Sequence, residues 1–204
     1  VRNSEQSTAS DGLESPDGIH KMTADGSITT LLTPDLPNLS PRCIHSSRIN
    51  GDLLIGLSPG RVMRWDVTGR NAGDIELDEE GQRLYERPDY ITENKMNGDI
   101  VVSDFEKGAL VVVDKSGRHR FDYTGHSTDQ PFDPRCVCTD LLGRILVVHV
   151  KGKRSTVYHH ISLLDQDGRF LTKFLNERQE LRSLCVDDKN NIYVAYDDKI
   201  KVFR

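Results

Sequence analysis

The sequence predicts an all-β propeller made of four-stranded blades, and two repeated turn patterns support this prediction. In the first pattern a tight polar turn runs into an apolar strand. The anchors of this pattern are Gly51, Gly98, Gly143 and Asn191, at spacings of 47, 45 and 48 residues. The second pattern keeps step with the first, and its turns end at Gly26, Gly69, Gly117 and Gly168. A period in the forties made of short strands is typical of propeller blades.

Residues 89–124 show how one blade is composed. Its four strands are expected at 89–94, 99–104, 109–114 and 119–124. These runs have strand length, are rich in β-branched residues and lack the three-four apolar spacing of helices. The turn at Asp114–Gly117 has a physical basis, because glycine accepts the positive φ of hairpin turns and aspartate bonds to nearby backbone amides. Each repeat is therefore expected to be a four-stranded antiparallel meander.

The same pattern predicts three complete blades and two partial ones. The complete blades are expected at residues 42–77, 89–124 and 135–175, and the partial ones at 19–32 and 182–204. Residues 1–18 are rich in Ser, Asp and Gly and are expected to be a flexible polar segment, since they offer little apolar surface to bury. The chain starts with Val1 rather than Met, so we expect an N-terminally truncated fragment whose blades form an open arc.

Composition narrows the classes of function. The chain has 204 residues and a formal net charge of −5, which argues against a protein devoted generally to nucleic acid or to anionic membranes. There is no apolar run of membrane-spanning length and no signal peptide, so we expect a cytoplasmic location and no membrane partner.

The four cysteines fall on equivalent first strands and are expected to be free and buried in a reducing compartment rather than to bind zinc. They are Cys43, Cys136, Cys138 and Cys185.

Several consecutive phrases of the sequence resemble a known family. They are Tyr90–Asn94, Val111–Phe121, Tyr123–His126, Leu163–Leu171 and Leu184–Asp188. These phrases are similar to the NHL-repeat β-propeller of tripartite-motif proteins, above all the mollusc-like invertebrate set, and the resemblance covers roughly residues 20–204. In that family a RING finger, B-box modules and a coiled coil precede a propeller of about six blades, and the RING transfers ubiquitin.

The resemblance implies a recognition propeller from an E3 ubiquitin ligase whose transfer modules lie outside this chain. It also implies that the open arc is part of a six-bladed parent. Zinc is expected only in the RING and B-box modules, so no cofactor and no enzyme activity are expected in this chain. Self-association is left open without the coiled coil.

The repeat also predicts a binding site on one face of the propeller. Equivalent positions near the starts of the first strands should surround the mouth of the central channel. These positions are Arg42, Asp89, Arg135 and Arg182. Three arginines would form a collar for the carboxylates or phosphates of a protein substrate or of an acidic or phosphorylated peptide. The alternative is that the arginines pair with neighbouring acids such as Asp104 or Asp197.

Charge on that face is expected to be uneven. The loop between the second and third strands is longest in the third complete blade, and it carries Lys151, Lys153 and Arg154. This loop predicts a basic sector over the last two blades. The acidic connection at residues 78–86 lies beside Asp89 and opposes that charge.

Two other functions stay open on the sequence. Some propellers that this sequence resembles bind single-stranded RNA, although the candidate stacking residues are few, namely Tyr90 and Tyr158. A metal-dependent propeller lyase or lactonase needs several His, Asp or Glu side chains converging on the channel. The candidates for such a set are His45, Glu93, Asp140 and Asp187, which share no convincing register.

Overall fold

The computed structural model describes residues 19–32, 40–126, 131–152 and 157–204, and the helices and strands found in these ranges are all β-strands. The chain divides into two compact units, Val1–Pro37 and Asn38–Arg204. In the first unit β1 (Ile19–Met22) and β2 (Ile28–Leu32) form an antiparallel hairpin. The segment 1–18, which is predicted to be flexible, lies outside the described residues. Across the described ranges there is no helix that could cross a membrane.

The second unit contains four antiparallel sheets, each with its strands in chain order. Blade 1 consists of β3 (Ser40–Ser46), β4 (Leu53–Ser58), β5 (Arg61–Trp65) and β6 (Asn71–Ile75). Blade 2 consists of β7 (Pro88–Glu93), β8 (Ile100–Asp104), β9 (Ala109–Val113) and β10 (His119–Tyr123). Blade 3 consists of β11 (Asp133–Thr139), β12 (Ile145–Lys151), β13 (Tyr158–Leu164) and β14 (Phe170–Glu177). Blade 4 consists of β15 (Leu181–Val186), β16 (Ile192–Tyr196) and β17 (Ile200–Phe203). The predicted all-β propeller class is confirmed.

Five of the repeated turns in the described residues are held by the aspartate that begins them. The Asp66 carboxylate accepts the backbone amides of Thr68 and Arg70 at 2.8 and 3.0 Å, and the turn closes at Gly69 with a φ of 80°. The Thr68 hydroxyl and these amides lower the pKa of the Asp66 carboxyl. The same two bonds are made within their own turns by Asp114, Asp140, Asp165 and Asp187. The aspartate carboxylate therefore accepts hydrogen bonds from turn amides that would otherwise lack a backbone acceptor.

The blades are joined through their first strands. Along the second unit β3 contacts β7, β7 contacts β11, and β11 contacts β15. The Cys43 thiol donates to the backbone oxygen of Pro88 in the next blade at 3.6 Å, and burial raises the pKa of this thiol to about 12. The Cys136 thiol repeats this contact with the backbone oxygen of Arg182 at 3.5 Å. First strands of neighbouring blades thus lie close enough for side chain to backbone hydrogen bonds.

All four cysteines are free and lie on first strands, as the repeat predicts. Cys136 and Cys138 are buried and Cys43 is half-buried, but the prediction of burial is wrong for Cys185, which is exposed. The reason is that Cys185 lines an open cavity at one end of the first strands.

The hydrophobic core lies between neighbouring blades, because each central blade buries both faces of its inner strands. In β9 the side chains of Val111 and Val113 pack toward Leu54 and Val62 of blade 1. The alternate residue Val112 packs into a separate cluster with blade 3. Burial on both faces explains why β8 and β9 are continuous apolar runs rather than alternating ones.

The close approach of blade 1 to blade 2 depends on Gly56 in β4. A methyl group at this position would meet the Cys43 sulfur and would lie 3.1 Å from the Pro88 Cβ. We expect Gly56→Ala to lower the free energy of unfolding by about 1–3 kcal/mol, because an added methyl in a packed interface forces its neighbours apart. Urea denaturation followed by circular dichroism measures this change.

A double-mutant cycle identifies the cause of that loss. In a Cys43→Ala background the same Gly56→Ala change should cost less, since the sulfur that the methyl meets is gone. An equal cost in both backgrounds would show that the Cys43 sulfur is not the atom that makes the added methyl group destabilising.

Candidate functional site

The four predicted collar residues line one cleft. Arg42, Asp89, Arg135 and Arg182 lie near the beginnings of β3, β7, β11 and β15. Because these first strands are neighbours that run in the same sense, their early residues reach the same end of the array. The cleft there has a volume of about 670 Å³. We call this surface the arginine face and define it by these four residues.

Each arginine of this face is paired with a carboxylate. Arg42 contacts Asp89 of the next blade at 2.8 Å, and Arg135 contacts Asp133 at 2.9 Å. Arg182 contacts Asp197 at 2.6 Å and Glu180 at 2.7 Å. These pairs lie at the surface, where each contributes little stability, and their main effect is to orient the guanidiniums.

The pairing gives the face charges of both signs. The lining residues of the cleft include four arginines and three carboxylates. The alternative interpretation, that the arginines pair with nearby acids, holds for Arg182 and Asp197. Asp104 has another role, because its carboxylate accepts the backbone amides of Glu86, Arg87 and Lys107.

Two residues that the sequence interpretation missed organise the centre of this face. The Phe105 ring lies 4.5 Å from the Arg135 guanidinium and 5.3 Å from that of Arg87. Arg87 also pairs with Asp89 at 3.1 Å and with Glu106 at 3.0 Å, and the Glu106 contact raises the pKa of Arg87. One aromatic ring therefore holds guanidiniums from the edges of two blades, an arrangement favoured by the quadrupole of the ring. The signal in the sequence was a lone aromatic residue in the loop after a second strand.

The predicted basic loop of blade 3 is only partly described. Lys151 is the last residue of β12 and lies opposite Tyr158 of β13. Lys153 and Arg154 lie outside the described residues. The predicted basic sector therefore stays a prediction.

A buried histidine and a half-buried carboxyl group also border the cleft. His159 is 8% exposed, and its Nδ1 atom accepts the backbone amide of Leu181 at 3.4 Å. Burial lowers the pKa of His159 and raises that of Asp133. The lowered pKa favours the neutral imidazole at pH 7, in which Nδ1 accepts the Leu181 amide, and the ring stands beside the positive charge of Arg135.

The sequence candidates for a metal site do not converge. Asp140 and Asp187 are held by the backbone amides of their own turns. His45 and Glu93 line a cavity at the other end of the first strands. Within the ranges that the structure describes, no three His, Cys, Asp or Glu side chains are placed to hold one metal ion.

Comparison with known proteins identifies the fold. No protein-family model matches the chain, and no curated protein matches it. Among solved structures it is similar to a virginiamycin B lyase from Staphylococcus aureus, with a TM-score of 0.67 and 15% identity over 92% of this chain and 62% of the lyase. A candidate gluconolactonase gives a TM-score of 0.64 and 16% identity over 91% of this chain and 66% of that one. A streptogramin B lyase gives a TM-score of 0.57 and 14% identity over 91% of this chain and 72% of that one.

These similarities show the β-propeller fold. The chain spans less than two thirds of the lengths of the virginiamycin B lyase and of the candidate gluconolactonase. None of the three structures is named as a tripartite-motif protein, so the family resemblance of the sequence stays a prediction.

The expectation that this chain has no enzyme activity is contradicted by these neighbours. Solved propellers that resemble it are named as lyases and as a candidate lactonase. The expectation came from phrases that resemble a recognition family and from the absence of a metal-binding register in the sequence. Neither observation is sufficient to exclude enzyme activity, because the same fold supports both binding and catalysis.

The lowered pKa of His159 predicts a pH dependence of stability. The folded state binds a proton to His159 more weakly than the unfolded state does, so stability falls as the pH drops below the ordinary histidine value of 6.5. We expect His159→Gln to lose less stability than the wild type between neutral pH and mildly acidic pH. Urea titrations at several pH values measure this difference.

His20→Gln is the matched control for this experiment, since it removes an exposed imidazole from the separate β1–β2 unit. If His159→Gln and the wild type lost the same stability on acidification, the buried imidazole would not be the group that is linked to folding.

Proposed function

We propose that this propeller is a recognition module that binds a protein segment across the arginine face. The observation that supports this proposal is the convergence of four blades on one cleft. Each blade supplies the residue near the start of its first strand, and the cleft of about 670 Å³ has room for several side chains of a partner. Loops and strand ends positioned by a rigid scaffold are common binding surfaces.

The chemistry of the cleft favours a protein segment over a polyanion. The side chains of Arg42, Arg135 and Arg182 are 38%, 47% and 57% exposed, so their remaining N–H groups can reach a partner. Their ion pairs fix the guanidinium planes before binding, which reduces the entropy lost on association. The interleaved carboxylates would repel a nucleic-acid backbone but would accept lysine or backbone amides of a peptide.

The resemblance to tripartite-motif proteins gives this module a biological setting. In that setting the parent protein is a RING-type E3 ubiquitin ligase, and the propeller selects the protein to be modified. Single-stranded RNA is the alternative ligand within the same family. The two ligands differ in salt dependence, because RNA binding releases counterions and weakens steeply as salt is added.

Reversing two charges on the arginine face tests the proposal. Arg135→Glu combined with Arg182→Glu should reduce the capture of partner proteins from cell extract by roughly tenfold or more, since like charges then oppose the partner carboxylates. Quantitative mass spectrometry of the captured proteins measures the change. Arg70→Glu combined with Arg169→Glu is the matched control, because both side chains are exposed on outer hairpins.

Equal capture by the wild type and by the variant at the arginine face would refute the assigned surface. Capture of RNA that is lost at high salt, with no protein captured, would instead support the RNA alternative.

A second candidate function is catalysis in the same cleft. The specific observation is the pair His159 and Asp133, whose pKa values move in opposite directions beside Arg135. A neutral imidazole can act as a general base once its Nδ1 atom releases the 3.4 Å contact with the Leu181 amide, and a guanidinium can stabilise the oxyanion that forms when a lactone or ester bond is attacked. Perturbed titratable groups that share a cleft are frequent at active sites.

Assays on the substrates named for the neighbours test this candidate. The purified chain should open gluconolactone or a streptogramin B depsipeptide above the buffer rate, with and without added divalent metal. His159→Gln should lower that rate by roughly a hundredfold or more, the usual contribution of a general base, whereas His20→Gln should not. A wild-type rate equal to that of buffer under all these conditions would exclude the activity on these substrates.

A further inference from the structure

The face opposite the arginine face carries an apolar rim. The turns that join first to second strands expose large apolar side chains in blades 1, 2 and 3. These side chains are Ile49, Met96 and Leu142, at 58%, 63% and 65% exposure, with Leu141 beside Leu142 at 37%. Ile49, Met96 and Leu141 each stand two residues before the repeated turn anchors, so an apolar residue at this place follows the repeat. A series of exposed apolar side chains on a chain with 29% charged residues marks an interaction surface.

The rim is continuous from blade to blade. A methyl group placed on Gly98 would lie 3.3 Å from the Ile49 Cδ1 atom, and one placed on Gly143 would lie 3.1 Å from the Met96 Cγ atom. Ile49 and Met96 therefore each lean over the turn of the following blade. The turns of blades 1, 2 and 3 are thus linked through these two side chains.

Two connected cavities lie inside this rim. The first has a volume of about 400 Å³, and its walls include Ile49, Val186, Cys138 and Cys185. The second has a volume of about 450 Å³ and is bordered by Ile49 and Met96. Both cavities share Ile49, Glu93 and Lys95. We call the two cavities together the distal groove.

The charges of the distal groove differ from those of the arginine face. Arg48 and Lys115 are exposed and make no ion pair with any described residue, and the Lys95 ammonium donates only to the Val186 backbone oxygen at 3.5 Å. The carboxylates of the groove are satisfied by neutral donors instead. Glu93 accepts the Ser47 hydroxyl at 2.9 Å.

Asp52 is the other carboxylate that lines the groove, and it accepts the Asn50 side-chain amide at 2.6 Å. Among the described residues Arg48, Lys95 and Lys115 are thus left without a carboxylate partner on a face that also offers apolar anchors. So is Arg64, whose guanidinium donates to the Lys115 backbone oxygen at 2.8 Å. On the arginine face every arginine of the collar already has one. An anionic partner therefore gains more charge pairing in the distal groove than on the arginine face.

We propose that the distal groove binds an acidic protein segment that carries large apolar side chains. The apolar side chains enter the cavities beside Ile49 and Met96, and the flanking carboxylates pair with Arg48, Lys95 and Lys115. This site is separate from the arginine face and adds a second docking surface to the protein. Single-stranded RNA fits less well, because the rim is aliphatic and offers no aromatic ring on which bases stack.

An anionic membrane also fits less well than a peptide. The site is concave, and the turn aspartates Asp66 and Asp114 stand on the same face, where they would oppose a negatively charged lipid surface. A flexible peptide can place its carboxylates beside the three cations and avoid those aspartates.

Fluorescence anisotropy with defined probes tests the proposal. The probe is a short fluorescein-labelled peptide rich in glutamate with a central Leu and Phe, and its control has lysine in place of each glutamate. The wild-type chain should bind the acidic peptide, and Arg48→Glu combined with Lys115→Glu should weaken binding by roughly tenfold or more. Met96→Ser should weaken it as well, through the loss of an apolar contact. Arg70→Glu combined with Arg169→Glu is the matched control, because both side chains are exposed outside the groove lining, and it should bind the peptide as the wild type does.

Three results would overturn the proposal. The first is no binding of the acidic peptide, and the second is equal binding by the wild type and by the variant with Arg48 and Lys115 replaced. The third is preferential binding of polyuridine RNA or of phosphatidylserine vesicles by the same groove. Circular dichroism of each variant establishes that the fold is retained. Arg48 and Lys115 lie on the face opposite Arg135 and Arg182. Failure of this experiment therefore leaves the proposed function of the arginine face untouched.

Discussion

The contact between first strands of neighbouring blades is the constraint on which the rest of the structure depends. It allows the Cys43 thiol of one blade to reach the backbone of Pro88 in the next, and it requires a glycine at position 56. The Asn94 side chain makes a similar link, since it is buried and donates to the Gly143 backbone oxygen at 2.9 Å. Polar groups placed between blades must find partners there, because an unsatisfied buried donor is costly. Once these strands are held side by side, the relative positions of the residues at their two ends are set as well.

The two ends of the first strands have acquired different chemistry. At one end the collar arginines are tied to carboxylates and to the ring of Phe105, so that rigid, alternating charges face the cleft. At the other end apolar side chains and cations without carboxylate partners surround the distal groove. The two proposals together assign one ligand to each end of the first strands. The same cleft that suits recognition also holds a neutral histidine, and this is why binding and catalysis are both considered for it.

The fold could be predicted from the sequence because residues at equivalent positions of the repeat occupy equivalent positions in the blades. Trp65, Val113 and Leu164 occupy equivalent positions in the sequence, and the structure pairs them with Leu53, Ile100 and Ile145 at the same place in three blades. Equivalence also placed the collar residues in one cleft. It could not show their partners, because the position two residues before the collar holds a carboxylate only at Asp133 and Glu180, whereas Ser40 and Arg87 stand there in blades 1 and 2. The apolar rim was missed for a different reason, since single apolar residues in polar turns resemble ordinary surface variation until the turns are seen side by side.

Site-specific photo-crosslinking tests the central claim, that the arginine face is where a partner is recognised. A benzophenone amino acid at Tyr90, which is 37% exposed and borders the cleft, would report contact on that face. The same group at Met96 reports contact on the opposite face. We expect the captured partner to be crosslinked from position 90, and we expect this crosslink to disappear when Arg135 and Arg182 are replaced by glutamate. A partner that is crosslinked only from position 96, or from position 90 regardless of the arginines, would contradict the account.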